Sequence, residues 1–98
     1  MTLTVIVTRD VPGRFRGFLG SAMLEIAPGI YVSPRLNRNV RERVWGVLTD
    51  WHGALQRGSV VMIRRAKAQP GGVAVDMLGE PPKDIVEIDE FLLARRKI

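Results

Sequence analysis

The 98-residue sequence contains no cysteine and a single histidine, His52. Without thiols the chain can form no disulfide, no thiolate nucleophile and no zinc–cysteine site, and one imidazole cannot build a histidine-rich metal site. Long apolar runs are also lacking, since none approaches the ~18 residues that a membrane-spanning helix needs. The apolar residues 1–9 have no basic segment and no small-residue cleavage site, so we predict no signal peptide and a cytoplasmic location.

The size and composition predict one small folded domain. The chain has a mass of 10.9 kDa, and 46% of its residues are hydrophobic and 26% charged, which is ordinary for a globular protein. A chain of this length supports one modest core and leaves little room for a deep enclosed active site.

Positive charge is concentrated in the first two thirds of the chain. The net charge is +5 and the sequence pI is near 10.7. Residues 9–43 hold seven arginines against three acids, and residues 57–67 hold four basic residues and no acid. Residues 76–90 reverse this balance, with six acids and one lysine. Because arginine pairs well with phosphate oxygens, we predict a face that binds a polyanion, with an ordinary solvated surface as the alternative.

The hydrophobic patterns predict short strands around two helices. Residues 2–8 alternate and are rich in β-branched side chains, which predicts a strand with one buried face; its apolar side carries Leu3, Val5 and Val7. Apolar residues then recur at helical spacing after Pro12 and again from residue 40, and Gly58 is predicted to cap the end of the second helix.

The predicted order up to residue 65 is β-α-β-β-α-β, which is the ferredoxin-like α+β arrangement. An extra strand follows at residues 73–78, and a single tail strand is predicted over residues 85–93, beyond two prolines. We therefore expect a ferredoxin-like domain at residues 1–79 and a tail at residues 80–98 that contacts a partner.

One carboxylate has a position that suggests chemistry. No Gly-Lys-Ser or Gly-Lys-Thr sequence occurs, so a phosphate-binding loop is excluded. Asp10 follows the first strand and precedes a helix. It either caps that helix or, in a dimer joined at this point, meets its copy to hold a divalent ion for phosphodiester hydrolysis.

The order of residues resembles one family. The segments RFRG at 14–17 and LEIAPGIYV at 24–32 are similar to the pattern V-P-x-R-L-R-G followed by L-L-E-V-x-x-G-V-Y-V, and VRERVW at 40–45 and GSVVM at 58–62 continue it. On these residues the chain, from the first strand to about residue 79, is identified as a member of the Cas-two family, CRISPR-associated protein two, of the type I-E kind.

This resemblance implies a homodimer that bridges two dimers of the CRISPR integrase, CRISPR-associated protein one, while duplex DNA lies across the assembly. Arg14 and Arg16 match two family arginines at the start of the first helix and are expected to clamp the DNA backbone. The family has a second set of basic residues, Asn-Arg-Arg, after the fifth strand, and only Lys83 of this chain corresponds to it. Arg38 or Arg41 is expected to compensate for the missing arginines. The tail is expected to dock on the integrase through Ile85, Val86, Ile88, Phe91 and Leu92.

Two functions stay open at this point, and a third is disfavoured. The first is a non-catalytic DNA-binding scaffold without a cofactor; the second is a metal-dependent endonuclease that uses Asp10 of both protomers, with magnesium, on RNA or DNA. Family nucleases carry an acid just after the first strand, and in type I-E relatives it can directly follow the threonine; this chain has Arg9 directly after Thr8 and Asp10 one residue later. A single-stranded RNA binder would need aromatic residues on the central strands, where valine and isoleucine stand instead.

Overall fold

The computed structural model describes residues 2–79, 83–88 and 91–96, with side chains for residues 3–79. These described residues form two α-helices, a short 3-10 turn at Pro70–Gly72 and seven strands. In chain order the α-helices and strands are β1 (Thr2–Arg9), α1 (Gly13–Ala22), β2 (Leu24–Ala27), β3 (Ile30–Leu36), α2 (Arg38–Leu55), β4 (Ser59–Arg65), β5 (Val73–Leu78), β6 (Lys83–Ile88) and β7 (Phe91–Arg96).

The main sheet has five antiparallel strands in the order β2-β3-β1-β4-β5. Both helices cover the same face of this sheet, which confirms the ferredoxin-like α+β fold. The register of β1 and β4 defines two ends of the sheet. Arg9 pairs with Ser59 at one, the Arg9 end, and Thr4 pairs with Arg64 near the other, the Arg64 end. Because α1 follows β1, it begins at the Arg9 end, whereas α2 follows β3 and begins at the Arg64 end.

One hydrophobic core lies between the helices and the sheet. Alternation along the strands sends every second side chain into it. The central residues are fully buried, and burying each large apolar side chain contributes roughly 1.5–3 kcal/mol. The core consists of Ile6, Phe15, Leu19, Met23, Tyr31, Val44, Leu48, Val60 and Met62.

The opposite face of the sheet carries apolar side chains that no helix covers. Leu3, Val5 and Val7 lie there, and Leu3 is 51% exposed. The buried face of β1 is the other one, because Thr4 and Ile6 face the helices and are fully buried. Packing against the helices, and not the hydrophobicity of one strand, decides which face becomes the core.

Two predicted details of the helix and strand ends are wrong. The left-handed cap of α2 is Gln56, with a φ of +46°, and Gly58, with a φ of +79°, turns the chain two residues later. The tail contains two strands, β6 and β7, which pair with each other, where one strand was expected. The division of the chain at residue 79 stays a prediction.

Within the part of the chain that is described, no helix is long and apolar enough to cross a membrane.

Candidate nucleic-acid interface

Asp10 lies at the Arg9 end in a left-handed backbone conformation, with a φ of +57°. Its carboxylate is largely exposed and lies 3.5 Å from the guanidinium of Arg57. The cap position of α1 is Pro12, and no side chain caps this helix. The prediction that Asp10 caps α1 is therefore wrong, because the left-handed turn places its carboxylate beside Arg57 instead.

Arg14 lies in the first turn of α1 and reaches toward α2. Its guanidinium carbon is 5.1 Å from the ring centroid of Trp51. Trp51 in turn makes edge-on contacts with Phe15 and Phe18, at centroid distances of 5.5 and 5.3 Å. A cation over a ring uses the flat side of the guanidinium, so the N–H edge of this exposed arginine remains suited to phosphate oxygens.

Arg16 lies two residues after Arg14, about half a helical turn, and therefore reaches toward the opposite flank of α1. Its Nη2 atom is 3.6 Å from Oε2 of Glu25, while 56% of the side chain stays exposed. The pKa of Arg16 is raised, first by the neighbouring Tyr31 hydroxyl and then by the charge of Glu25. The Tyr31 hydroxyl is buried and forms no hydrogen bond with any described residue. Arg14 and Arg16 thus stand on both flanks of one exposed helix start.

Glu25 is held by the backbone of the β2–β3 turn. Its carboxylate accepts a hydrogen bond of 3.1 Å from the Gly29 N–H. This hydrogen bond lowers the pKa of Glu25, and the contributions of Tyr31 and Arg16 act in the same direction, against the effect of burial. The carboxylate therefore stays charged and keeps Arg16 in place.

Arg38 and Arg41 belong to a different part of the molecule. Both lie at the start of α2, at the Arg64 end of the sheet. Arg38 donates from Nε to Oε1 of Glu42 at 3.0 Å, and Arg41 is half-buried near Arg64. The structure therefore does not bring them together with Arg14 and Arg16.

The remaining predicted site residues lie outside the described side chains. Only the backbone of β6 and β7 is described, so nothing follows for the binding roles predicted there. These residues are Lys83, Ile85, Val86, Ile88, Phe91 and Leu92.

The magnesium role of Asp10 was predicted for two protomers together and stays a prediction. The described side chains of one chain contain no group of three or more His, Asp or Glu residues that could hold a metal ion. Magnesium prefers several oxygen ligands in octahedral geometry, and the neighbour of the Asp10 carboxylate is the cation of Arg57. A single chain therefore does not fit a magnesium site at Asp10.

His52, the one imidazole, has a structural contact. Its Nε2 donates to the carbonyl oxygen of Gly58 at 3.1 Å and so ties the last turn of α2 to the start of β4.

Fold and surface together define a small ferredoxin-like α+β protein with exposed arginines at its helix starts. A family model described as CRISPR-associated protein (Cas_Cas2CT1978) matches residues 3–93. The chain belongs to this CRISPR-associated family, which confirms the family predicted from the sequence; the type I-E subtype stays a prediction.

The sequence analysis did not predict that Arg64, Arg41 and Asp76 lie close together. In β4, Val60 and Met62 face the core, and Arg64 continues the same alternation. Asp76 pairs with Met62 in the register of β4 and β5 and so lies on the same side of the sheet. A charged residue at a core-facing position of a strand was the signal that could have pointed to this group.

Proposed function

We propose that this protein is a scaffold subunit of the CRISPR spacer-acquisition (adaptation) complex, which binds duplex DNA through the phosphate backbone. The observation that carries the proposal is the exposed helix start with Arg14 and Arg16 on its two flanks. Both guanidiniums are oriented by neighbours, so less side-chain entropy is lost when phosphate binds. The free N–H groups and positive dipole at the start of α1 add to the same field.

A duplex needs more surface than one chain offers, and the open face of the sheet supports a homodimer. Leu3, Leu24 and Met77 share this face with Val5 and Val61 in the strand registers. The first three are 51%, 67% and 37% exposed, which is unusual for large apolar side chains in a small domain. A second copy that covers this face would bring two pairs of Arg14 and Arg16 onto one assembly.

The decisive experiment compares two double variants of equal charge. Arg14→Ala/Arg16→Ala is compared with Arg35→Ala/Arg43→Ala, which removes two other exposed arginines. Duplex binding is measured by fluorescence anisotropy over a series of salt concentrations. We expect the first variant to lose about 10- to 100-fold in affinity and to lower the salt slope by roughly two per protomer, and the second to lose under about threefold. Equal losses in both variants would contradict the proposal.

The bridging role depends on the tail and is tested separately. Co-purification with the integrase is measured for the full chain and for Phe91→Asp/Leu92→Asp, with Arg95→Asp/Arg96→Asp as a matched change in the same segment. We expect Phe91 and Leu92, but not Arg95 and Arg96, to be required for co-purification with the integrase. Unchanged co-purification of the Phe91→Asp/Leu92→Asp variant would remove the tail from the integrase interface.

A metal-dependent endonuclease is the competing function, because Asp10 presents an exposed carboxylate directly after β1. Its test is magnesium-dependent cleavage of RNA and DNA by the wild type and by Asp10→Asn. Cleavage that is lost in Asp10→Asn would establish the nuclease. Cleavage that persists in the variant would come from another source, and absence of cleavage in both leaves the scaffold as the function.

A further inference from the structure

A cavity of about 230 Å³ lies between the first half of α2 and strands β4 and β5, at the Arg64 end of the sheet. It belongs to neither the Arg14–Arg16 surface nor the Asp10 turn. Charged groups line one part of it and apolar groups the other. The lining residues are Arg41, Glu42, Trp45, Gly46, Met62, Arg64 and Asp76.

The guanidinium of Arg64, which lines the cavity, has one N–H group without a hydrogen-bond partner among the described residues. The Nε atom of Arg64 is buried and has no hydrogen-bond partner among the described residues. A buried donor without a partner costs about 1–3 kcal/mol, and more when it belongs to a charged group. An acceptor from a bound molecule, water included, would complete the pairing of this donor.

A second guanidinium increases the demand for an anion. Arg41 lies near Arg64, and burial together with the positive charge of Arg64 lowers the pKa of Arg41. Asp76 lies in the same cavity but forms no ion pair with either arginine within the described part of the chain. Glu42 is already engaged by Arg38 at 3.0 Å. Two arginines and one free carboxylate leave one positive charge, which a single negative charge balances.

The apolar part of the cavity restricts the kind of anion. Trp45 and Met62 form a wall beside the two arginines, so the ligand combines a singly charged group with an apolar body. A phosphodiester has one negative charge, two oxygens that can accept from two guanidiniums, and flanking sugars and bases that can pack against an aromatic ring. A cavity of 230 Å³ accepts one such unit and is too small for a double helix.

We propose that the cavity lined by Arg41, Arg64 and Trp45 binds one phosphodiester unit of an unpaired nucleotide. Arg41 and Arg64 hold the phosphate oxygens, and Trp45 contacts the adjoining sugar or base. This site is separate from the proposed duplex surface, and its test uses no duplex, so either proposal can fail alone.

The test uses the dinucleotide TpT, which has one phosphodiester, and its neutral methylphosphonate analogue of the same shape. The chain contains two tryptophans, so two-dimensional NMR of the indole N–H groups follows the cavity through Trp45 and the Arg14–Arg16 surface through Trp51. The Trp51→Phe variant assigns the two signals. We expect TpT to shift the Trp45 signal in a saturable way, at lower concentrations than any shift of Trp51 beside the proposed duplex surface. The methylphosphonate should shift Trp45 only at concentrations about tenfold higher or more.

Variants connect the binding to the two arginines. Arg64→Gln and Arg41→Gln are each expected to weaken TpT binding by about tenfold or more, whereas the exposed Arg35→Gln stays within about twofold. If Arg64→Gln does not fold, Arg41→Gln and the methylphosphonate comparison still decide.

Three outcomes would overturn the proposal. One is no shift of Trp45 with TpT, which is also expected if a carboxylate from residues 80–98 fills the cavity. The second is equal binding of TpT and the methylphosphonate. The third is an equal response to acetate, which would assign the cavity to a carboxylate.

Discussion

The two ends of the sheet are built in different ways. At the Arg9 end, three glycines pack directly against neighbouring backbone. A Cβ on Gly29, Gly58 or Gly79 would lie 2.8, 2.4 or 2.6 Å from a backbone oxygen. At the Arg64 end, the space between α2 and the sheet is filled by long charged side chains and is left partly open.

This difference separates the two kinds of arginine. At the Arg9 end, Arg14 and Arg57 are exposed and lie over a close-packed backbone layer. At the Arg64 end, Arg41 and Arg64 are half-buried beside a cavity. A rigid surface with exposed cations suits a long polyanion that makes many weak contacts, whereas a cavity with half-buried cations suits a single charged group of a ligand.

Gly58→Ala is expected to give the largest effect, because it disrupts the close-packed end. Gly58 has a φ of +79°, and an added Cβ would lie 2.4–2.6 Å from backbone atoms of Arg9 and Asp10. The left-handed backbone of Gly58 disfavours a side chain, and the neighbouring backbone leaves no room for a Cβ. We therefore expect the free energy of unfolding to fall by about 3 kcal/mol. Urea unfolding followed by tryptophan fluorescence measures it.

Gly46→Ala is the matched control. Gly46 is exposed in the middle of α2, with nothing within 4 Å of an added Cβ. Alanine is preferred over glycine in a helix, so this variant should gain about 0.5–1 kcal/mol. If Gly58→Ala raised the free energy of unfolding as Gly46→Ala does, Gly58 would not be required for close backbone packing at the Arg9 end.

Trp51→Leu tests whether the Arg9 end and the Arg64 end act independently. The substitution removes the edge contacts with Phe15 and Phe18 and the ring under Arg14. We expect a loss of about 2 kcal/mol in the free energy of unfolding. Duplex binding should weaken less than in Arg14→Ala, since the arginine itself remains.

TpT binding is the control measurement for this variant. It involves Trp45, at the other end of α2, and is expected to stay within about twofold of the wild-type value. A parallel loss of TpT and duplex binding would show that the two ends are coupled and would contradict the comparison.

The sequence predicted the fold better than the site because fold and site depend on different interactions. Periodic apolar positions such as Phe15, Leu19, Val44 and Leu48 are repeated along the chain, and each supports the same arrangement. The strand order and the two-helix layer follow from many such positions together.

The site depends on single contacts that bring distant residues together. Arg57 lies beside Asp10, and Arg64 lies near Asp76 and Arg41, although no local pattern connects these positions. The expected helix cap at Asp10 failed for the same reason, since the left-handed φ of that residue depends on how β1 meets Gly58. Local propensity is a weak predictor where tertiary backbone contacts decide the conformation.

The smallest expected effect concerns how the Arg9 end responds to acid. Glu25 accepts the Gly29 N–H, and this hydrogen bond is the main cause of its lowered pKa. A carboxyl with a lowered folded-state pKa contributes stability above its unfolded pKa and loses this contribution as the pH falls through the folded pKa. Wild type and Glu25→Gln should therefore differ in free energy of unfolding at pH 7, and the difference should shrink once the pH falls below the ordinary value of 4.5.

Urea unfolding at a series of pH values between 7 and 3 measures this difference, with Ser21→Ala as a surface control that changes no ionisable group. The control should run parallel to the wild type at every pH. A difference between wild type and Glu25→Gln that stays constant down to pH 3 would mean that the Gly29 N–H does not favour the charged carboxylate. In that case the backbone at the Arg9 end would not hold Glu25, and Glu25 could not fix the position of the Arg16 guanidinium.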